Sequence, residues 1–148
     1  PQNILYGDTL KRIIKVIDFG FGKNTKAERL NYSIAGTEEY MAPEVMKRSY
    51  DYFKIDIFSC GCVLHYLLFG KSALISGESP SVLYGNISAG KYPLPVSSSG
   101  ESNLLSSSSD ATAAVKKLFT KLLAEKAEDR YTAEEALNDP WFTENSAQ

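Results

Sequence analysis

The chain has 148 residues, 43% of them apolar, which suits a single globular domain with one core. Its 16 basic and 18 acidic residues leave a formal charge of −2, and that near-balance argues against a nucleic-acid footprint or a polybasic membrane patch. The two cysteines, Cys60 and Cys62, are too few for a disulfide framework and read as reduced thiols in an intracellular, cytoplasmic protein.

The first twenty residues read as a β-hairpin leading into a loop. Pro1 to Leu5 has neither the basic segment nor the long apolar run of a secretory signal. Ile4-Leu5-Tyr6 is a short apolar run, Gly7-Asp8 is a turn signal, and Arg12 to Ile17 is a β-branched stretch. From Phe21 to Tyr40 the residues lack sustained periodicity and read as a long ordered or switchable loop, of a length that is usually functional or disordered. Pro43 is placed to open a short helix.

A longer helix is expected from about Asp56 to Phe69, stopped by Gly70. Its apolar residues lie all round the cylinder, which predicts burial on every side. The uncharged run from Ile57 to Gly70 is shorter than the ~20 residues that span a bilayer, so a core helix is the better reading. His65, the one histidine of the chain, reads as a packed core residue rather than a ligand.

Ser79-Pro80 predicts a helix reaching about Ala89, with Gly90 as its stop. The serine-rich stretch 97–109 is of low complexity and reads as an exposed insertion. Asp110 is placed to cap a helix in which Ala114, Val115, Leu118, Phe119, Leu122 and Leu123 recur at helical spacing. Thr132-Ala133-Glu134-Glu135 is a capping box, opening a helix that ends near Asp139, before Pro140. The expected fold class is mainly α, with one small β-hairpin at the N-terminus.

The chemistry begins at Asp18-Phe19-Gly20. A β-branched strand feeds the aspartate into a loop, where a carboxylate can grip Mg²⁺ on the phosphates of ATP. Asn3 lies across the hairpin, where a neutral oxygen can hold a second Mg²⁺. Phosphoryl transfer needs such ions because its transition state spreads negative charge.

Downstream, Gly36-Thr37-Glu38-Glu39-Tyr40-Met41-Ala42-Pro43-Glu44 resembles the end of a protein-kinase activation segment. Asp56-Ile57-Phe58-Ser59-Cys60-Gly61 resembles the start of that family's central helix. Arg130, Thr132, Leu137 and Pro140-Trp141-Phe142 are similar to its closing helices. These motifs stand in the family's order across nearly the whole chain. The chain is identified by them as a member of the eukaryotic protein kinases of serine/threonine type, covering the helical C-lobe of an α+β fold over 1–148. Gly90-Lys91-Tyr92 and the closing Pro140-Trp141-Phe142 look most like the calcium/calmodulin-dependent and calcium-dependent group, whereas Asp56-Ile57-Phe58-Ser59 with Gly61-Cys62-Val63 echoes the kinase–endoribonuclease stress sensors.

The resemblance implies ATP and Mg²⁺ as cofactors and proteins with serine or threonine acceptors as substrates, with no nucleic acid or membrane as partner. It implies that Asp18 and Asn3 are metal and cofactor ligands. Thr37 would stand beside the catalytic aspartate. Glu44 and Arg130 would form a buried ion pair, and Asp56 would hold the catalytic loop by its backbone. Phe21, directly after Asp18-Phe19-Gly20, favours serine over threonine as acceptor. Thr25, Tyr32 and Ser33 are candidate phosphosites or ordinary loop hydroxyls.

Departures accompany the resemblance. The family's catalytic base precedes Asn3 by more residues than this chain holds, and no Gly-x-Gly-x-x-Gly occurs in it. The expectation is therefore a partial domain, lacking its N-lobe segment and inactive alone. Phe58 stands where tryptophan is usual, Ser72-Ala73-Leu74 replaces a proline–phenylalanine step, and Lys126-Ala127 replaces an aspartate–proline pair. The competing reading is a pseudokinase or scaffold lobe that binds partners without catalysis. Intact Asn3 and Asp18 favour the enzyme.

Overall fold

The computed structural model describes residues 1–11, 13–26, 34, 36–48, 50–70 and 109–145. The chain divides into two compact units, Pro1–Asn31 and Tyr32–Gln148. The expected helix from Ser79, the sites Tyr32 and Ser33, and all but the last residue of the serine-rich stretch lie outside the described residues.

The first unit is built on an antiparallel hairpin of β1 (Ile4–Tyr6) and β2 (Ile14–Val16), paired Ile4 to Val16, Leu5 to Lys15 and Tyr6 to Ile14. The second strand is shorter than the β-branched run that predicts it, and the connecting loop explains why. Asp8 Oδ1 accepts a hydrogen bond from Ile13 N at 2.9 Å, and Gly7 N donates to the carbonyl of Ile13 at 2.7 Å. Ile13 is thereby drawn into the turn, where Lys11 adopts a left-handed φ of 55°. Lys11 Nζ sits 5.4 Å from the centre of the Tyr6 ring.

The second unit is helical. A 3-10 turn at Glu38–Tyr40 and another at Pro43–Lys47 precede the long helix α1 (Tyr52–Phe69). Pro43 opens its turn at the position where a missing N–H costs nothing. Helix α1 starts a turn earlier than Asp56, because Asp51 caps it: Oδ1 accepts from Phe53 N at 2.8 Å and Lys54 N at 3.2 Å. Gly70 ends it in a left-handed conformation, φ 66°, donating back to the carbonyl of Tyr66.

Helices α2 (Ser109–Leu122), α3 (Ala133–Leu137) and α4 (Pro140–Asn145) follow. The capping box at α3 is formed in both directions: Thr132 Oγ1 accepts from Glu135 N at 3.2 Å, and Glu135 Oε2 accepts from Thr132 N at 2.7 Å. The chain then turns at a buried Asp139, which accepts from Trp141 N at 2.9 Å and from the Tyr131 hydroxyl at 3.1 Å. Pro140 thus opens a further helix rather than only closing the one before it.

The core lies between α1 and α2. Phe58 and Cys62 of α1 pack with Val115, Phe119 and Leu123, and Ala42 and Val45 cover one end. Ile57, Leu118 and Leu122 form a second cluster against Tyr131, Trp141 and Phe142. Gly61 permits the close approach, since a Cβ there would stand 2.7 Å from Leu123 Cδ2 and 3.0 Å from Leu122 Cβ. His65 is buried, its ring edge-on to Phe119 at 5.5 Å.

The expectation of burial all round α1 is corrected at particular positions. Leu67 and its neighbour Tyr66 are 68% and 41% exposed near the end of the helix, and Phe53 is 69% exposed in its first turn. Among the described residues no neighbour buries these three apolar side chains, so periodicity alone overstated the contact. Among the described residues no helix is long and apolar enough to cross a membrane.

Candidate functional site

Within the first unit, the ladder continues one bond beyond the strands: Ile17 N donates to the carbonyl of Asn3 at 2.9 Å. Asn3 therefore stands opposite Ile17, with Asp18 next along the chain. Both side chains are exposed. Asp18 has a φ of 61°, a left-handed conformation that aspartate tolerates better than most residues. Its Oδ1 accepts from Gly20 N at 3.1 Å, which fixes the carboxylate over the turn. A Cβ at Gly20 would lie 3.1 Å from that same oxygen, so glycine leaves the carboxylate its place. Phe19 and Phe21 point into solvent.

Asp18 and Asn3 offer hard oxygen donors at one open end of a hairpin. That donor chemistry suits Mg²⁺, which binds one or two protein oxygens, keeps several waters and shares the phosphates of its substrate. Among the described residues no group of three or more His, Cys, Asp or Glu gathers into a closed metal cage.

Within the second unit, Arg130 reaches Glu44 across 86 residues. Nη1 donates to Oε1 at 2.6 Å and Nη2 to Oε2 at 3.1 Å, a fork on a carboxylate. The arginine side chain is fully buried and the glutamate nearly so. Its remaining donors meet backbone carbonyls: Nε and Nη2 bind Ala124 at 3.1 and 2.8 Å, and Nη1 binds Lys54 at 2.8 Å. The guanidinium also lies 5.0 Å from the centre of the Phe58 ring. Every face of a buried cation is thus served, which is what desolvating it requires.

Residues 1–142 match the protein kinase domain. The chain belongs to the protein kinase family. CBL-interacting serine/threonine-protein kinase 14 of Arabidopsis thaliana is 33% identical over 146 residues, covering 96% of this chain and 29% of that protein. Serine/threonine-protein kinase 17A of Oryctolagus cuniculus is 36% identical, covering 100% and 35%. Ribosomal protein S6 kinase alpha-1 of Rattus norvegicus is 34% identical, covering 97% and 19%. The chain thus spans 19–35% of the length of these relatives.

The other residues singled out in this kinase chain are placed as follows. Thr37 is exposed and leads the turn Glu38–Tyr40, accepting from Tyr40 N through its carbonyl at 3.0 Å. Its hydroxyl makes no capping bond, which leaves it to solvent. Asp56 stands within the second turn of α1, and partial desolvation pushes its carboxyl above the ordinary value. Thr25 is half-buried in a turn where Asn24 Oδ1 accepts from Lys26 N at 3.0 Å. Cys60 and Cys62 are free thiols, and burial pushes Cys62 up to about 12.

Sequence reasoning missed Lys54 and Ser59. Lys54 Nζ donates to the carbonyl of Arg130, and the Ser59 hydroxyl donates to the carbonyl of Tyr40 at 2.7 Å. Each partner is a backbone oxygen distant in sequence, which leaves no pattern in residue types.

Proposed function

We propose that this kinase domain transfers the γ-phosphoryl group of ATP to serine and threonine hydroxyls of proteins. Membership of the protein kinase family supports the reaction class, and the serine/threonine kinases among the relatives support the acceptor. The observation that carries the reading is the bond from Ile17 to Asn3, which brings an amide oxygen and the Asp18 carboxylate to one end of a hairpin.

Mg²⁺ when bound neutralises the charge that spreads over the phosphoryl oxygens. Asp18 is oriented for this role by Gly20 N, which occupies Oδ1 and leaves Oδ2 open. Asn3, across the ladder from Ile17, would supply a neutral oxygen. Thr37, with its hydroxyl uncommitted, is suited to meet the acceptor hydroxyl and its proton-accepting partner. The Glu44–Arg130 pair holds the segment that carries Thr37 against the helical core.

The test is transfer of labelled phosphate from Mg-ATP by the full-length protein to serine, threonine and tyrosine peptides. Transfer to the first two is expected, with a loss of about 100-fold or more in Asp18→Asn. Undiminished transfer in that variant, or transfer confined to tyrosine, overturns the proposal.

A further inference from the structure

We infer that Ser59 is a positioning residue for acceptor recognition, its hydroxyl holding the carbonyl of Tyr40 and through it the turn that follows Thr37. The inference rests on the kinase reading above and adds a residue to it.

Ser59 lies inside α1, where a serine ordinarily bonds back to the carbonyl four residues earlier. That option is present: Oγ lies 3.1 Å from the Ile55 carbonyl. The contact to Tyr40 is shorter, at 2.7 Å, and spans 19 residues. A hydroxyl carries one proton, so it donates to one oxygen at a time. The Ile55 carbonyl already serves the helix ladder, whereas no backbone N–H among the described residues donates to the Tyr40 carbonyl. Both criteria favour Tyr40.

The turn also carries its own backbone bonds. Tyr40 N donates to Thr37, and Met41 N donates to Glu38, each at 3.0 Å. Thr37, Glu38 and Glu39 stay exposed, while Tyr40 packs its ring against the core. Among the described residues, the bonds at Tyr40 and at Glu44 tie this segment to the helices. The one at Glu44 is a buried charge pair with many supporting bonds. The one at Tyr40 is a single neutral hydrogen bond, and it is the nearer to Thr37. Loss of the neutral tie lets the turn shift while the charged tie keeps the domain folded. Acceptor binding feels that shift, and nucleotide binding does not.

The experiment compares the full-length protein with its Ser59→Ala and Ser59→Thr variants. Ser59→Ala is expected to raise KM for a serine peptide by about three- to tenfold, the weight of one neutral hydrogen bond. KM for ATP stays unchanged, and Ser59→Thr, which keeps the donor, restores the peptide KM. Hydrogen exchange at the Tyr40 and Met41 amides quickens in Ser59→Ala, while that around Arg130 does not. Unchanged exchange and unchanged peptide KM, with transfer intact in the wild type, overturn the role of Ser59 alone. A parallel rise in both KM values also overturns it. A wild type that transfers nothing to any peptide overturns the kinase reading and the acceptor role with it.

Discussion

Lys54 and Arg130 exchange hydrogen bonds in both directions, each side chain donating to the other's backbone carbonyl. The exchange ties the first turn of α1 to the strand-like step before α3, and it surrounds the arginine that holds Glu44. Arg130 is thus both the donor at the centre of the network and a residue pinned by it.

That network predicts a ranking of stability losses in urea unfolding. Arg130→Ala strips Glu44 and the carbonyls of Ala124 and Lys54 of a buried partner and is expected to cost at least ~3–5 kcal/mol. Lys54→Met removes one charged donor and keeps the stem, for a cost of about 1.5–3 kcal/mol. A Lys54→Met loss equal to that of Arg130→Ala contradicts the arrangement.

Gly61→Ala tests the contact between α1 and α2. Alanine is the better helix former by ~1 kcal/mol, which argues for stabilisation. The Cβ would, however, press on Leu122 and Leu123 at 3.0 and 2.7 Å. Overpacking of this kind costs roughly 1–3 kcal/mol, so a net loss or at best a balance is expected in the denaturation midpoint.

The capping box gives a pH signature. Bonds from the Thr132 backbone and hydroxyl hold the Glu135 carboxyl below its ordinary value. A carboxyl lowered by folding contributes stability above its unfolded value and loses it as pH falls through the folded one. Melting temperatures of wild type and Glu135→Gln should therefore differ at neutral pH and converge as pH falls through the lowered folded value. Parallel curves down to pH 3 contradict the bond.

Asp56 should behave in the opposite sense. Its carboxyl is raised by desolvation, so the folded state holds its proton more tightly than the unfolded state. Its penalty is absent at low pH and appears as pH rises through the folded value. Asp56→Asn is expected to raise the melting temperature at pH 7 and leave it unchanged near pH 3. A drop at pH 7 would show that the charge is used.

The two thiols should separate under alkylation. Cys60 is exposed, whereas Cys62 is buried with its thiol pushed up to about 12. Iodoacetamide at pH 8 should modify Cys60 in the native protein and Cys62 only in urea, as read by peptide mass. Equal native labelling contradicts the packing of Cys62.

Legibility varied with the range of each signal. The capping box could be read because both partners lie within four residues, and Gly70 because a left-handed cap demands it. The entry of Glu44 and Arg130 came only through resemblance, since nothing local joins residues so far apart. The Asp51 cap was missed because polar and aromatic residues between it and Asp56 hide the first turn. Exposure of Phe53 and Leu67 was illegible, because periodicity reports the faces a helix offers and not which neighbours arrive.

The distance along the chain between Glu44 and Arg130 also bears on how the second unit assembles. Closing a loop of that length costs entropy before the pair returns any energy. The contact is therefore a finishing one, made once α1 and α2 have met. Mutations there should speed unfolding far more than they slow folding, and the half-life of the native state is what they would shorten.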